Sequence, residues 1–405
     1  MRKVVLSALF IMLMTALVFA GGGGDKASPS APASDGFDPS WHASPTIKLG
    51  VAITLTGTQS NPGRASERGM ELAVEEINAA GGIHGKKIDV IKYDDMGQPA
   101  EAIKVITRLI EQDKVHAIWG PLSSNSTMAV GAYVNDAQVP AIGPAVGVIW
   151  LRQGWKYYFR ATANTFSLVE GAYDLFKKDG IKTVAYFNIN EEYGNNSAKD
   201  MDGFIDKDSN INVIARELYK DGDTDFTAQC VKIKTANPDC VYMVAWSNDA
   251  GQIIKQLRAA GYDKPIYGDN AFTARPIRQI AGDATNNCFF TAVYVLPDTP
   301  EEIDINPSFS GKVINHFLKA YLKKYGEMPI EDNVYRSYDG IRVIAKAIEN
   351  AKSLKGPAIR DAIHAISGFE GCIGIMNYAA FPNGECVAGA RGWKMENGKV
   401  LPYRQ

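Results

Sequence analysis

The sequence contains few of the residues that metal sites and many catalytic centres need. Among its 405 residues are five cysteines and five histidines. No CxxC pair, HExxH run or other Cys/His metal spacing occurs, and neither GxSxG nor SxxK, two motifs of serine enzymes, is present. These absences argue against a metal site and a catalytic centre, so we expect no metal, no cofactor and no enzymatic activity.

The small number of cysteines leaves their redox state open. In an oxidising compartment Cys372 and Cys386 could form a disulfide across a hairpin, and so could Cys230 with Cys240. An odd number of cysteines leaves at least one thiol unpaired. Each cysteine also fits a role as a small buried apolar residue.

The sequence also lacks a basic tract. Arg2 and Lys3 are the only charged residues before Gly21, and without them the chain has a net charge of about −4. Nucleic acids and anionic membrane surfaces are bound through clustered lysine and arginine. We therefore expect no nucleic-acid partner and no electrostatic attachment to a membrane.

The one long apolar run lies at the amino terminus. It extends from Val4 to Phe19, after Met-Arg-Lys, and is followed by the small residue Ala20. This is the pattern of a secretory signal peptide that is cut after Ala20. The run is short for a membrane span, and no later run is long enough. A lipid anchor would need a cysteine where Gly21 stands. We predict an exported protein without a lipobox cysteine, in the periplasm or otherwise outside the cytoplasm.

The stretch after the predicted signal peptide has little apolar content. Residues 21–45 are mostly Gly, Ser, Pro and Ala, a composition that favours a flexible tether. Folded structure is therefore predicted to begin near Thr46. About 360 residues follow, which is enough for two domains of ordinary size.

Strand-like and helix-like segments alternate along these residues. The first series contains predicted segments at Ile47–Ile53, Ala65–Ala80, Lys87–Tyr93, Pro99–Asp113, Val115–Trp119 and Val139–Ile142. After Arg160–Asn164 a second series has strands at Thr183–Asn188, Ile211–Glu217, Cys240–Ala245 and Pro265–Gly268, with helices between them. Helices at Gly311–Tyr325 and Tyr338–Ala351 and a strand-rich tail complete the chain. Such alternation predicts an α/β fold with two similar αβα lobes, each built on a parallel sheet.

The stretch GPLSSNSTMAVG, residues 120–131, lies between a predicted strand and a predicted helix. Open parallel sheets bind small molecules beyond the carboxyl ends of their strands. The first backbone N–H groups of a helix, with its dipole, favour a negative ligand group at the same place. The hydroxyl of Ser124 would help to hold such a group. In the alternative interpretation, Ser124 or Ser126 only caps its own helix.

The order of short motifs resembles that of type I periplasmic solute-binding proteins of ABC importers, in the branched-chain amino acid (leucine/isoleucine/valine) group. The resemblance covers nearly all of 46–400. The motifs are Gly69-x-x-Leu72-Ala73-x-x-x-Ile77-Asn78-x-x-Gly81-Gly82-Ile83, Tyr93-Asp94-Asp95, Gly120-Pro121-x-x-Ser124, Tyr193-Gly194, Asp225-Phe226-Thr227, Pro238-Asp239-x-Val241, Pro265-Ile266-x-Gly268 and Tyr338-Asp339-Gly340.

The resemblance implies two Rossmann-like lobes joined by a three-strand hinge, with crossings near Asn164, Tyr294 and Asn377. Lobe one would comprise 46–164 and 295–376, and lobe two 165–294 and 377–405. It also implies that a monomer captures a small polar ligand, an amino acid or a related carboxylate or amide, and delivers it to the permease subunits of an ABC importer.

The resemblance further implies a set of ligand-binding residues. Ser124 would hold a ligand carboxylate. The Ala145 carbonyl would accept from an α-amino group, and the Gly147 N–H would donate to the carboxylate. From lobe two, the aromatic rings of Tyr193 and Trp246 would close over the ligand. A polar residue, either Asn270 or its neighbour Asp269, would do the same.

Several positions depart from the family pattern. Gly147 stands where relatives commonly have threonine, and Asn270 where they often have glutamate. Pro62 replaces a tryptophan that flanks the ligand, and Gly97 and Ser123 replace the two half-cystines of some relatives. The counter-charge for an ammonium group is thus missing unless Asp269 supplies it.

These departures leave alternatives open. The ligand is a branched-chain amino acid or a similar carboxylate, or instead a short amide, a urea-like compound or an aromatic or aliphatic carboxylate. A ligand-sensing partner of a receptor has the same fold, although a sensor fused to its output would need a transmembrane helix. An exported hydrolase with Ser124 as nucleophile is disfavoured because no histidine lies near a matched position.

Overall fold

The computed structural model of the chain describes residues 36–208, 210–304, 311–386 and 390–404. The chain divides into a segment, 1–36, and a compact unit, 37–405. The predicted signal peptide and most of the predicted tether lie outside the described residues. Within the described ranges, no helix has the length and apolar character needed to span a membrane.

The folded unit begins earlier than Thr46, so the prediction of a tether up to residue 45 is wrong. Helix α1 (Pro39–Ala43) is capped by Asp38, whose carboxylate accepts from the Ser40 N–H. Trp41 is buried and stacks on Phe37 with ring centroids 5.1 Å apart. These two aromatic rings anchor the segment, although the residues around them have the composition of a tether.

Lobe one is built on a five-stranded parallel sheet of order β2-β1-β3-β4-β5. Its strands are β1 (Ile47–Ile53), β2 (Ile88–Asp94), β3 (Ala117–Trp119), β4 (Ala141–Gly143) and β5 (Tyr158–Arg160). Its first helices are α2 (Ser60–Ala79), α3 (Pro99–Glu111) and α4 (Ser124–Asp136). Successive strand residues point to opposite faces, and each face is buried, as a parallel sheet requires. Leu49 and Val51 face α2, whereas Ala52 and Ile118 face α3 and α4.

Lobe two repeats the pattern on a second sheet. Its parallel strands are β6 (Thr183–Ile189), β7 (Asn212–Tyr219), β8 (Cys240–Val244), β9 (Ile266–Gly268) and β10 (Cys288–Ala292). Its helices are α5 (Thr165–Asp179), α6 (Glu192–Ile205), α7 (Thr227–Ala236), α8 (Ser247–Ala259) and α9 (Arg275–Ala281). The sequence-based prediction of two αβα lobes is therefore confirmed.

After β10 the chain returns to lobe one. Helices α10 (Lys312–Tyr325), α11 (Asn333–Ala351) and α12 (Gly356–His364) join the core that contains α2, and a small hairpin of β11 (Phe369–Gly371) and β12 (Gly374–Met376) follows. Helix α11 lies so close to α2 that a Cβ on Gly69 would be 1.8 Å from the Val334 carbonyl oxygen. A glycine is required there because only its hydrogen fits between the two backbones.

The tail completes lobe two. Strands β13 (Arg391–Glu396) and β14 (Lys399–Pro402) add antiparallel to β10, which gives the order β14-β13-β10-β9-β8-β6-β7. All five cysteines are buried and carry free thiols, so neither Cys372–Cys386 nor Cys230–Cys240 forms a disulfide. The alternative of small buried apolar residues is the one that the structure bears out.

Candidate functional site

The turn that precedes α4 places Ser124 at the carboxyl end of β3. Gly120 has a φ of +103°, and a Cβ on it would meet the Ala52 carbonyl oxygen at 2.0 Å, so this turn requires glycine. The cap of α4 is Ser123, whose hydroxyl accepts from the Ser126 N–H at 3.2 Å. The interpretation of Ser124 or Ser126 as the helix cap is therefore wrong.

Ser124 instead faces a cavity and contacts the loop that follows β4. Its Oγ accepts from the Gly147 N–H at 3.1 Å, which leaves the hydroxyl proton free to donate to a ligand. Ala145 lines the same cavity. Gly147 is not among the lining residues, and its N–H donates to Ser124.

Arg160 holds this loop from behind. It is 0% exposed, donates to the carbonyls of Ala145 and Gly147, and stacks over the Trp150 ring at 4.6 Å. Its charge is paired with Glu385, with Nε and Oε1 3.0 Å apart. Glu385 also accepts from the Asn164 amide at 2.5 Å. Arg160 thus links the cavity loop to the segments that run between the lobes, and it does not line the cavity.

The opposite wall comes from lobe two and is aromatic. Tyr193, on α6 after β6, and Trp246, after β8, have ring centroids 5.3 Å apart at an interplanar angle of 43°. The Tyr193 hydroxyl donates to both carboxyl oxygens of Asp269, at 2.7 and 2.6 Å. Asp269 also caps a short helix at Asn270–Thr273, and burial raises the pKa of its carboxyl to about 6.

Of the two neighbours left open by the sequence, Asn270 lines the cavity and Asp269 does not. Asp269 lies behind Tyr193 and fixes the orientation of its ring. The Oδ1 atom of Asn270 is buried and has no hydrogen-bond partner among the described residues. It can therefore accept from a ligand donor.

Four further lining residues, around the start of α11, were not predicted: Glu331, Asp332, Asn333 and Arg336. Arg336 donates to the Asp332 carboxylate and, at 3.1 Å, to the Pro144 carbonyl. Asn270 donates to the same Asp332 oxygen at 3.2 Å, and Ser247 donates to Glu331 Oε1 at 2.7 Å. Burial raises the pKa of the Glu331 carboxyl to about 8.

A sequence signal for this group did exist. Acidic and amide residues before an apolar periodic run indicate a helix start, and Asp332 and Arg336 have the i,i+4 spacing of an ion pair. The helix was instead predicted to begin at Tyr338, five residues after its true start at Asn333. The polar first turn therefore lies outside the predicted helix.

The cavity between these walls has an empty volume of about 470 Å³, part of which opens to solvent. Residues of both lobes line it: Pro62, Leu122, Ser124, Pro144, Ala145, Val146, Tyr193, Trp246, Ser247, Asn270, Ala271, Glu331, Asp332, Asn333 and Arg336. Within the described parts of the chain, no group of His, Cys, Asp and Glu could hold a metal ion.

The lobes also touch each other directly at the rim. The Asn125 side chain, on α4, accepts from the Glu192 N–H at the start of α6 at 2.8 Å. The Thr58 hydroxyl donates to Asp221 at 2.7 Å, and the Asn61 amide donates to Asn248 at 3.3 Å. These bonds describe a closed cleft.

Replacement of Ser124 by alanine should weaken ligand binding by about 1–3 kcal/mol if the hydroxyl meets a buried ligand group. Isothermal titration with a ligand identified by screening measures the effect. The matched control is Ser126→Ala, because Ser126 lies on the same helix, is buried and does not line the cavity. Equal affinity in wild type and Ser124→Ala would contradict a ligand contact for this hydroxyl.

The known proteins that this chain resembles in sequence are periplasmic binding proteins and amino-acid-binding proteins. A family model described as periplasmic binding protein matches residues 46–391. The chain is 27% identical to the Leu/Ile/Val-binding protein homolog 7 of Brucella suis, over 80% of this chain and 82% of the relative. It is 27% identical to the leucine-, isoleucine-, valine-, threonine- and alanine-binding protein of Pseudomonas aeruginosa, over 83% and 87%.

A solved structure extends the similarity to the fold. The branched-chain amino acid transporter substrate binding protein LivJ of Streptococcus pneumoniae, in complex with isoleucine, is 32% identical and superposes with a TM-score of 0.77. The match covers 88% of this chain and 97% of that one. Sequence and fold are thus similar over the whole of the two lobes.

Proposed function

The chain belongs to the periplasmic binding protein family, in the branched-chain amino acid group of its type I members, and we propose that it is an extracytoplasmic solute-binding protein. In this proposal it captures a small polar ligand, a branched-chain amino acid or a similar carboxylate, between its lobes. It then delivers the ligand to the permease of an ABC importer.

One observation carries the proposal: one cavity is lined from both lobes and contains polar groups that can bond a ligand, among them Asn270 Oδ1, which has no partner among the described residues. Lobe one contributes the Ser124 hydroxyl, and lobe two contributes the Tyr193 and Trp246 rings and the Asn270 carbonyl. A ligand that contacts both walls stabilises the closed arrangement by its difference in affinity for the closed and open states. Closure on the ligand is the property that a permease can recognise.

The proposed lobe boundaries are those of the sequence analysis, with lobe one at 46–164 and 295–376 and lobe two at 165–294 and 377–405. The proposed state in solution is a monomer, secreted through a cleavable signal peptide. The proposed binding residues on lobe one are Ser124 and Ala145. On lobe two they are Tyr193, Trp246 and Asn270, with Asp269 as the support of Tyr193.

A second ligand class keeps the same transport role. Trp246 offers a flat apolar surface, and the unpartnered Asn270 Oδ1 can accept from an uncharged N–H. Short amides, urea-like compounds and aromatic or aliphatic carboxylates fit these two groups. They are therefore included in the test.

A thermal-shift screen tests the proposal. The protein is unfolded, dialysed and refolded to remove any bound ligand, then heated with each of the twenty amino acids, short amides, urea and simple acids. A ligand at one hundred times its Kd adds about 2.7 kcal/mol, which raises the Tm of a folded unit of this length by roughly 3–4 °C. A melting temperature unchanged by every compound, or chemical turnover of one of them, would contradict the proposal.

A further inference from the structure

We propose that Glu331 is the counter-charge for a ligand ammonium group, so that the ligand is a zwitterionic amino acid whose binding displaces a proton from Glu331. This inference rests on the proposed solute-binding function and narrows the ligand class. It also assigns the missing ammonium partner to a residue that precedes α11 of lobe one. In relatives the glutamate often stands at the position of Asn270, which donates to the neighbouring Asp332.

The first argument is the position of Glu331. The side chain lies immediately before α11, is 4% exposed as a residue, and lines the cavity. One carboxyl oxygen accepts from Ser247 on α8 of lobe two at 2.7 Å. Among the described residues no other hydrogen bond is made to the carboxyl group, so its second oxygen is free to accept from a ligand.

The second argument is the local balance of charge. Arg336, the basic residue of the cavity wall, is already paired with Asp332, which also accepts from Asn270. Asp269 lies behind Tyr193, accepts hydrogen bonds from that neutral hydroxyl and does not line the cavity. The groups that act on the Glu331 carboxyl are Asp332, just before α11, Arg336, on α11, and Ser247, on α8. Among the described residues, no lysine, arginine or histidine forms an ion pair with Glu331, since Arg336 pairs with Asp332. The cavity lining therefore contains two carboxyl groups, those of Glu331 and Asp332, and one guanidinium, that of Arg336.

A buried carboxylate without a counter-charge is unfavourable, and the group protonates instead. Burial raises the pKa of the Glu331 carboxyl to about 8, so in the ligand-free protein at pH 7 most molecules have this carboxyl protonated. An ammonium group beside Glu331 would favour the ionised form, and the proton would leave as the ligand binds.

The third argument is the hydrogen-bond donor that Ser124 supplies in the same cavity. Ser124 presents its hydroxyl proton at the amino end of α4, where the helix dipole favours a negative group. Donors at Ser124 and acceptors at Glu331 and Asn270 Oδ1 complement a carboxylate and an ammonium on one small molecule. An acid or amide without an amine would leave Glu331 protonated.

The sign of the pH dependence follows from linkage. Below about pH 8, ionising Glu331 requires loss of its proton, so affinity for an amino acid should rise about tenfold per pH unit between pH 6.5 and 7.5 and level off above pH 8. Affinity for an amine-free ligand should show no such rise over this range.

Isothermal titration of the mature chain tests the inference, with L-leucine and 4-methylpentanoate, the same skeleton without the amine, as probes. Titrations at pH 7 in phosphate and in Tris, buffers with different ionisation heats, count the protons released. We expect close to one proton for leucine. Glu331→Gln, which keeps an acceptor for Ser247, should abolish the release and weaken leucine binding at least tenfold. If leucine does not bind, the same measurements are made with each amino acid of the thermal panel.

The matched control is Glu327→Gln, because Glu327 lies four residues earlier, pairs with Arg68 on the surface and has a side chain that is 58% exposed. It should behave as wild type. Two results would overturn the inference: an amino acid that binds without proton release, or one whose affinity does not change in Glu331→Gln. Both would leave the proposed solute-binding function intact. Binding of amine-free compounds alone does the same. Failure of every compound to bind overturns the proposed function as well.

Discussion

Arg160→Met is expected to destabilise the protein by about 3–5 kcal/mol, because it leaves Glu385 as an unpaired charge in the interior. The melting temperature should fall by roughly 4–7 °C. Binding should weaken too, since the loop that carries Ala145 loses the two hydrogen bonds that fix its carbonyls. Calorimetric unfolding and titration of the refolded variant measure the two effects.

The matched control for this variant is Arg216→Met. Arg216 also forms an ion pair, with Asp202 at 2.7 Å, but its side chain is 50% exposed. Exposed pairs contribute less than about 1 kcal/mol. The double variant Arg160→Met, Glu385→Gln should recover part of the stability because the unpaired charge is gone. An Arg160→Met protein as stable as Arg216→Met would contradict the bracing role of Arg160.

Gly69→Ala is expected to destabilise the protein by at least about 3 kcal/mol, the upper range for overpacking a core. The new Cβ would lie 1.8 Å from the Val334 carbonyl oxygen and 2.5 Å from Ser337 Oγ, so α2 and α11 must move apart. Because Arg336 lies in the first turns of α11 and Glu331 lies two residues before it, ligand affinity should fall with stability. Chemical denaturation and ligand titration measure both.

Gly203→Ala is the control for the helix propensity of alanine. Gly203 lies within α6, and a Cβ there would have no atom within 4 Å. This variant should be stabilised by about 0.4–1 kcal/mol. If Gly69→Ala were also stabilised, the close approach of α2 and α11 would not be a constraint on folding.

The position of Ser124 on the lobe-one side of the site could be predicted because the sequence signals for it are local. The transition from a buried strand to a helix places Ser124 at a sheet edge, and the rule for parallel sheets says what that edge is for. The same rule places Tyr193 and Trp246, which follow β6 and β8. Each of these positions depends on a strand and the few residues after it.

The position of Glu331 could not be predicted in this way. It lies two residues before α11, a helix of lobe one, and its contact with Ser247 of lobe two joins residues 84 apart in sequence. Which of Asp269 and Asn270 faces the cavity could not be predicted from local sequence either. Adjacent residues after a strand point in different directions, and the short helix at Asn270–Thr273 decides which of them faces the cavity.

The hydrogen bond from Glu192 to Asn125 has a consequence for the integrity of α6. This helix has no side-chain cap of its own, since its preceding residue, Glu191, makes no capping bond. The oxygen that satisfies its first N–H belongs to the other lobe. Any separation of the lobes therefore exposes the first turn of α6, which contains Tyr193, and removes a cap that contributes about 1 kcal/mol. One lobe thus supplies the cap of a helix in the other, and the turn that carries Tyr193 is more stable when the lobes are closed than when they are apart.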